Sequence, residues 1–446
     1  MIHRLKKAWQ DASLSAWNAG LIAVIISYAG PMTLILQAAK KGNLSPEMTI
    51  SWVWAASICT GIITVVMSLT MRLPVMAAWS IPGSVLLITG LQRYDVQDLI
   101  GVYLLTGTVS VVLSITGVFS TIVDLVPSGV TNGILTGILL PICFRAVTAS
   151  QDIPLMALLM LGAFLVTRRM ASVFAVPVAM LTGIIVVLIT GDIAGSPELT
   201  GNTVLAQPVW IAPSFNLSAT LSIGLPLLLV TMAGQNLPGI DMMRSFGYRF
   251  NAKAALTACS VGGFLFAPFG LHGANLATVT GVVCAGPEAH PARRRRYVGG
   301  IAAGIFYIVA GTFAPVIVML MTMISTSALA LLSGLVLLPA LNTALTTLLR
   351  RPNGQSTAKH KLGLEAGIVA LVMTASDITA LGITSPCWGL AAGMLVYLIL
   401  GARPTRERKI HSASPLEQDF TLPHKQDSSS TNANAEPETV NAIGRK

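Results

Sequence analysis

Apolar residues run along this chain in long stretches broken by charges, prolines and polar loops. A helix rises about 1.5 Å per residue, so a hydrocarbon layer of about 30 Å takes about 20 apolar residues to cross. Fourteen such runs can be marked. Seven lie at roughly 14–39, 48–71, 73–90, 98–123, 127–148, 153–167 and 174–191. Seven more lie at 219–243, 252–268, 269–286, 297–323, 325–348, 362–380 and 383–401, and all are numbered segments one to fourteen in chain order. The pattern predicts an all-α membrane protein. Residues 1–13 precede the first run, and that run is too long for a signal-peptide core and lacks a cleavage site, so it is kept as a helix. Residues 192–218 read as a connection between two halves, and 402–446 as a solvated, disordered tail of Ser, Asn, Thr, Glu and Pro.

Composition supports that reading. Of 446 residues, 53% are hydrophobic and only 10% charged, with a mean hydropathy of +0.73. Soluble chains carry about 25% charged residues, so a soluble protein is excluded. A net charge of +10 would suit nucleic acid, but the basic residues sit in clusters between apolar runs and form no stripe with aromatics. The partner they imply is the lipid bilayer. With the N-terminus in the cytoplasm, 24 of the 28 lysines and arginines fall on the inner side, leaving Lys40, Lys41, Arg93 and Arg145 outside. An even number of spans then puts both termini in the cytoplasm of a bacterial inner membrane. The five cysteines lie in apolar segments without CxxC spacing and read as small buried hydrophobes. No HExxH, GxSxG or paired-Asp motif is present and no metal-ligand set, so neither enzyme, metal nor cofactor is expected.

The halves repeat weakly but in order. TGIIVVLITG at 182–191 matches AGMLVYLILG at 392–401, TGILLP at 136–141 echoes SGLVLLP at 333–339, and Ala29-Gly30 pairs with Ala233-Gly234. Seven segments per repeat is odd, so the second repeat (219–401) enters from the side opposite to the first (14–191): a 7+7 inverted repeat.

Segments three and ten interrupt their apolar runs at matching places, with Pro74 and Pro82-Gly83 in one and Pro268, Gly270 and Gly273 in the other. Proline and glycine cost about 3 and 1 kcal/mol inside a helix. About five extended residues plus ten helical ones still cross the bilayer. Val75 to Trp79 and Leu271 to Ala274 are therefore expected to be extended, with half-helices starting near Ser80 and Asn275 and facing each other at the midplane. Each helix start carries about +0.5 charge and unpaired N–H groups, so the pair forms an anion site without a basic side chain. Ser80 and Asn275 either cap these ends or donate to the anion. Gly30 of segment one and Gly234, Gln235 and Asn236 of segment eight lie nearby. Tyr28 and Trp79 either stack on an aromatic guest or pack in the core. Glycine pairs such as Gly133/Gly137 and Gly300/Gly304 read as close-packing sites.

Ionisable residues within spans are costly and few. His272, Asp241 and Glu288 are the proton-carrier candidates. His272 is otherwise a hydrogen-bonded structural histidine, Asp241 a partner of Arg244, and Glu288 a counter-charge to Arg293 to Arg296. Asp377 reads as a solvated helix end.

SYAGP at 27–31, AWSIPGSVLL at 78–87, MAGQNLPGI at 232–240 and APFGLHGANLATVTGVVCAGPEAHP at 267–291, followed by RRRRYVGGIAAGIFY, resemble the benzoate:proton symporters of bacteria. The resemblance extends to about Gly401, and HGANLA with GPEAHP is its most specific part. It implies a fold shared with nucleobase permeases and sulfate-type anion transporters, divided into a core (segments one to four and eight to eleven) and a gate (five to seven and twelve to fourteen). It implies uptake of a benzoate-like anion with a proton by alternating access, and leaves a homodimer open. Nucleobase permeases carry acidic residues on segments eight and ten, whereas this chain has Gln235/Asn236 and His272/Asn275, which suit an anion. A uniporter or channel for an organic anion, or a nucleobase-type permease, is the alternative on the same fold.

Overall fold

Proline placement shapes the helices before any packing does. Pro31 has no N–H for the turn before it, and segment one breaks at Gly30 into Leu14–Ala29 and Pro31–Lys41. Segment eleven breaks at Phe313, two residues before Pro315, into Tyr297–Thr312 and Ala314–Thr322, with a bend of 72°. Both were expected as single helices. Segment eight absorbs its prolines differently: π-helical turns at Thr220–Gly224 and Met232–Asn236 each end two residues before a proline, Pro226 and Pro238. A wide turn frees backbone carbonyls without ending the helix, so the polar interruption AGQNLPG is a bulge and not an unwound stretch.

The computed structural model describes residues 2–118, 125–191, 203–351 and 356–401. The expected tail at 402–446 and residues 192–202 of the expected connection lie outside the described residues. Among the described residues, eight helices are long and apolar enough to cross a membrane, or nine if the bent pair of segment eleven is one span. Ile81–Gly90 and Ser385–Gly401 are apolar but shorter. The chain is a mostly helical membrane protein.

Segment two packs against eleven, four against nine, and five against both twelve and thirteen. Small residues make these approaches close. A Cβ on Gly61 would lie 2.8 Å from the Gly304 carbonyl oxygen, and one on Gly300 would strike Ser68. Residues 203–216 lie across one end of the bundle, where Ile211 N–H donates to the Pro268 carbonyl (2.9 Å) and Val209 N–H to Ser51 Oγ (2.9 Å). At the other end Asp11 gathers Arg72 and Arg295, each at 3.5 Å, and the Tyr297 hydroxyl at 2.9 Å.

Two short strands sit between these ends. β1 (Ala77–Trp79) pairs antiparallel with β2 (Ala274–Leu276), with Ala78 opposite Asn275. A second pair, β3 (Thr379–Ala380) and β4 (Ile383–Thr384), forms the hairpin between segments thirteen and fourteen.

Candidate functional site

Segment three folds as its residues dictate. The chain is extended to Trp79, Ser80 is the N-cap, and helix Ile81–Gly90 follows with Pro82 in its first turn. Ser80 Oγ accepts the Gly83 N–H at 3.1 Å and meets Thr231 Oγ1 at 3.0 Å.

Segment ten departs from expectation. Its strand begins three residues later than predicted, and its helix is Val279–Ala285, so Asn275 sits in mid-strand and not at a helix start. The cause is pairing: Asn236 Oδ1 accepts Leu276 N–H at 3.0 Å and the Met76 carbonyl accepts Ala277 N–H at 2.9 Å. These bonds hold the backbone extended until Thr278. No side chain caps the helix that follows. At its far end Arg296 donates to the Ala285 carbonyl at 2.9 Å and Tyr248 to the same oxygen at 3.2 Å, a cationic cap on the negative pole of the dipole. Burial raises the Tyr248 hydroxyl above its ordinary range.

Because the strands are antiparallel, the two half-helices leave the ladder in opposite directions with their starts at its two ends. Three paired residues at about 3.3 Å each set those starts roughly 10 Å apart. A cavity of about 1180 Å³ opens beside the ladder. Its deep wall is Gly30, Ala78, Trp79 and Ile81 on one side and Gln235, Thr278, Val279 and Thr280 on the other. Asn132 of segment five, Val336 and Pro339 of segment twelve and Tyr397 of segment fourteen face them. Arg350, Lys359 and His360 stand at its mouth, and among the described residues no other basic side chain lines it.

Of the residues singled out in the sequence, Gly30, Trp79, Gly234, Gln235 and Asp241 line this cavity, whereas Tyr28, Ser80, Asn236, His272, Asn275 and Glu288 do not. Tyr28 stands behind Trp79, edge-on at 6.3 Å between ring centroids, with its hydroxyl on Ser57 at 2.5 Å. Asn275 is fully buried and donates to Gln235 Oε1 at 3.3 Å and to the Leu276 carbonyl at 2.9 Å, while its Oδ1 has no hydrogen-bond partner. It positions Gln235 from behind. His272 has both ring nitrogens occupied. Trp52 Nε1–H donates to Nδ1 at 3.4 Å, and indole is a donor only, so Nε2 carries the proton and donates to the Ser80 carbonyl at 2.9 Å. The neutral ring thus ties segment ten to the cap of segment three. Asp241 is exposed at the cavity wall 3.7 Å from Arg244. Glu288 is exposed, and among the described residues the carboxylate paired with the arginine run is Asp11, not Glu288. Asp377 is not merely solvated but pairs with Arg93 at 3.3 Å.

The sequence reading missed Trp52, Thr278, Thr280 and Asn132. The Trp52–His272 contact spans 220 residues, which no local pattern reveals. Thr278 and Thr280 flank the helix start, whose cap position lies three residues beyond Asn275, and Asn132 follows Thr131 within GVTNGIL, a polar pair inside an otherwise apolar run.

Two strand-to-helix segments that meet beside a cavity in a mostly helical membrane protein are an arrangement to compare with solved transporter folds. The chain is similar to SLC26A9, with a TM-score of 0.58 over 88% of this chain and 66% of that one at 12% identity. It is also similar to the transmembrane domain of the cyanobacterial bicarbonate transporter BicA, with a TM-score of 0.56 over 85% of this chain and 96% of that one at 15% identity. The chain belongs to the benzoate membrane transport protein family, which it matches over residues 10–399. It is 33% identical to the benzoate membrane transport protein of Acinetobacter baylyi over 89% of this chain and 98% of that protein. It is 34% identical to the inner membrane protein YdcO of Escherichia coli over 87% of this chain and 97% of that protein. It is therefore a transporter and not an enzyme, and a multi-pass protein of the bacterial inner membrane.

Proposed function

We propose that this protein carries benzoate or a related aromatic carboxylate into the cell together with a proton, by alternating access of a core domain against a gate domain. The carboxylate sits at the start of the half-helix Val279–Ala285 beside Gln235, and the ring packs on Trp79. The observation that carries this reading is the uncapped helix start opening on a cavity whose deep end has no basic side chain among the described residues. Unpaired N–H groups at the positive pole of a helix hold an anion yet leave no fixed cation to trap it. Trp79 and its apolar neighbours favour a ring over a small inorganic anion.

A fourteen-span, 7+7 inverted architecture underlies the mechanism. Exchanging the halves converts the four–nine packing into eleven–two, and segments five and twelve, each with an internal proline (Pro141, Pro339), pack on one another. Residues assigned to one side meet only their own: Asp11 with Arg72 and Arg295 inside, Arg93 with Asp377 outside. This supports cytoplasmic termini and an inward-open cavity with Arg350 and Lys359 at its mouth. Of the proton-carrier candidates, Asp241 alone lines the cavity; His272 is a positioning residue.

Uptake of labelled benzoate into proteoliposomes tests this. An inward proton gradient accelerates uptake and drives accumulation. Uptake that stops at equal concentrations under that gradient identifies a uniporter or channel, and no benzoate uptake at all overturns the substrate.

A further inference from the structure

At the end of the molecule away from the cavity mouth, the hairpin between segments thirteen and fourteen is fastened to segments three and eight by a compact set of polar bonds. The Tyr94 hydroxyl, four residues beyond the half-helix Ile81–Gly90, lies 2.8 Å from Ser222 Oγ, 3.1 Å from Ser218 Oγ and 2.9 Å from the Gly382 carbonyl. Ser218 Oγ donates to the same carbonyl. Thr384 donates twice to Ser222, from N–H to Oγ at 3.0 Å and from Oγ1 to the main-chain oxygen at 3.1 Å. That oxygen is available because Ser222 lies in a π turn and Pro226, four residues on, has no N–H to return to it. Beside these bonds, Arg93 pairs with Asp377 at 3.3 Å.

Among the described residues the opposite end shows no equivalent. Under exchange of the halves, the counterpart of the hairpin is the turn Ser172–Phe174 between segments six and seven. Among the described residues no hydrogen bond joins this turn to segments three, eight or ten, and Ser172 and Val173 line the cavity instead.

We propose that Tyr94, Ser218, Ser222, Gly382 and Thr384, with the Arg93–Asp377 pair, form an outer latch whose opening admits substrate from outside. The proposal rests on the alternating-access reading above. Core and gate cannot separate on the outer face while these bonds hold. Hydroxyl-to-carbonyl bonds suit a latch because water replaces each of them at small net cost.

A reversible lock tests this. A Cβ built on Gly382 lies 3.9 Å from the Ser218 Cβ, within the range of a disulfide. In the full-length protein in nanodiscs and proteoliposomes, Ser218→Cys with Gly382→Cys is oxidised with copper phenanthroline and then reduced, with both single variants as controls. Gly382 has φ +75°, so its own substitution is strained, and the reduced double variant is the reference. Oxidation is expected to cut benzoate transport at least tenfold and reduction to restore it, with equilibrium benzoate binding changed less than threefold. Undiminished transport by the cross-linked protein overturns the latch, as does failure of the disulfide to form. Tyr94→Phe is a second arm: hydrogen exchange of the peptide carrying Thr384 is expected to rise at least tenfold, and unchanged protection refutes the proposal. The exchange arm is read without substrate, so failure of the wild type to bind benzoate defeats the functional reading and leaves the latch to stand or fall on exchange.

Discussion

Segments three and ten both interrupt an apolar run with proline and glycine and both pass from strand to helix, yet they finish differently. In three, Ser80 caps the helix it precedes, Pro82 has no N–H to offer and Gly83 N–H is held by Ser80 Oγ. In ten, the helix begins after Thr278 with no side-chain cap, and Thr278, Val279 and Thr280 all line the cavity. Two segments that look alike in sequence thus end differently: the side chain of Ser80 caps the first helix start, while among the described residues no side chain caps the second. Two facing dipoles are not needed for an anion site. In the site proposed above, one open end beside a polar side chain, Gln235, receives the anion, and His272 ties the two segments together through the Ser80 carbonyl.

The largest effect should come from the two glycines at the third helical position of each half-helix. A Cβ on Gly83 would lie 2.7 Å from Leu227 Cδ1 and 2.9 Å from both His272 Cδ2 and Ser80 Oγ, a site walled on three sides. A Cβ on Gly281 meets mainly Met242 Cε, the far end of a flexible chain. Overpacking costs about 1–3 kcal/mol where neighbours cannot move. Gly83→Ala is expected to lower the melting temperature in detergent and slow benzoate uptake at least tenfold, while Gly281→Ala stays within twofold of wild type. Equal tolerance at both positions would break the contrast between sealed and open ends.

That contrast also marks where the sequence was legible. The apolar runs, the break at Pro82-Gly83 and the Ser80 cap follow from local rules, because proline, glycine and a serine before a helix act on their immediate neighbours. The start of half-helix ten does not. It is set by Asn236 and Met76, distant in sequence, which hold Leu276 and Ala277 in a strand. His272 was read as binding or carrying a proton because a histidine in an apolar run is costly. Its cost is offset by Trp52 and Ser80, partners that only the fold brings near. Gln235 stands out in segment eight by its polarity and lines the cavity, whereas Asn275 donates to Gln235 Oε1 and does not line it. Breaks in an apolar run locate departures from helix to within about a turn; which residue faces the cavity depends on the pairing of β1 with β2.

Closing the open end sharpens the comparison next. Thr278→Asp places a carboxylate at the N-cap position, where it accepts from the first-turn N–H groups and repels a second anion. Benzoate binding measured by calorimetry should weaken at least tenfold with the melting temperature unchanged or raised. Unaltered affinity would move the carboxylate away from this helix start.

The smallest effect belongs to the sealed end. Ser80→Ala removes the cap on Gly83 N–H and the contact with Thr231 Oγ1, but leaves the Ser80 carbonyl that His272 and Ser84 N–H share. Loss of an N-cap side chain costs about 1 kcal/mol, and the neighbouring strand pairing and His272 still hold the turn. Thermal unfolding should therefore fall by a few degrees while benzoate affinity changes less than twofold, since the proposed site places the anion at the other helix start. A tenfold loss of affinity in Ser80→Ala with the melting temperature intact would reverse the assignment, making the first half-helix the one that meets the substrate.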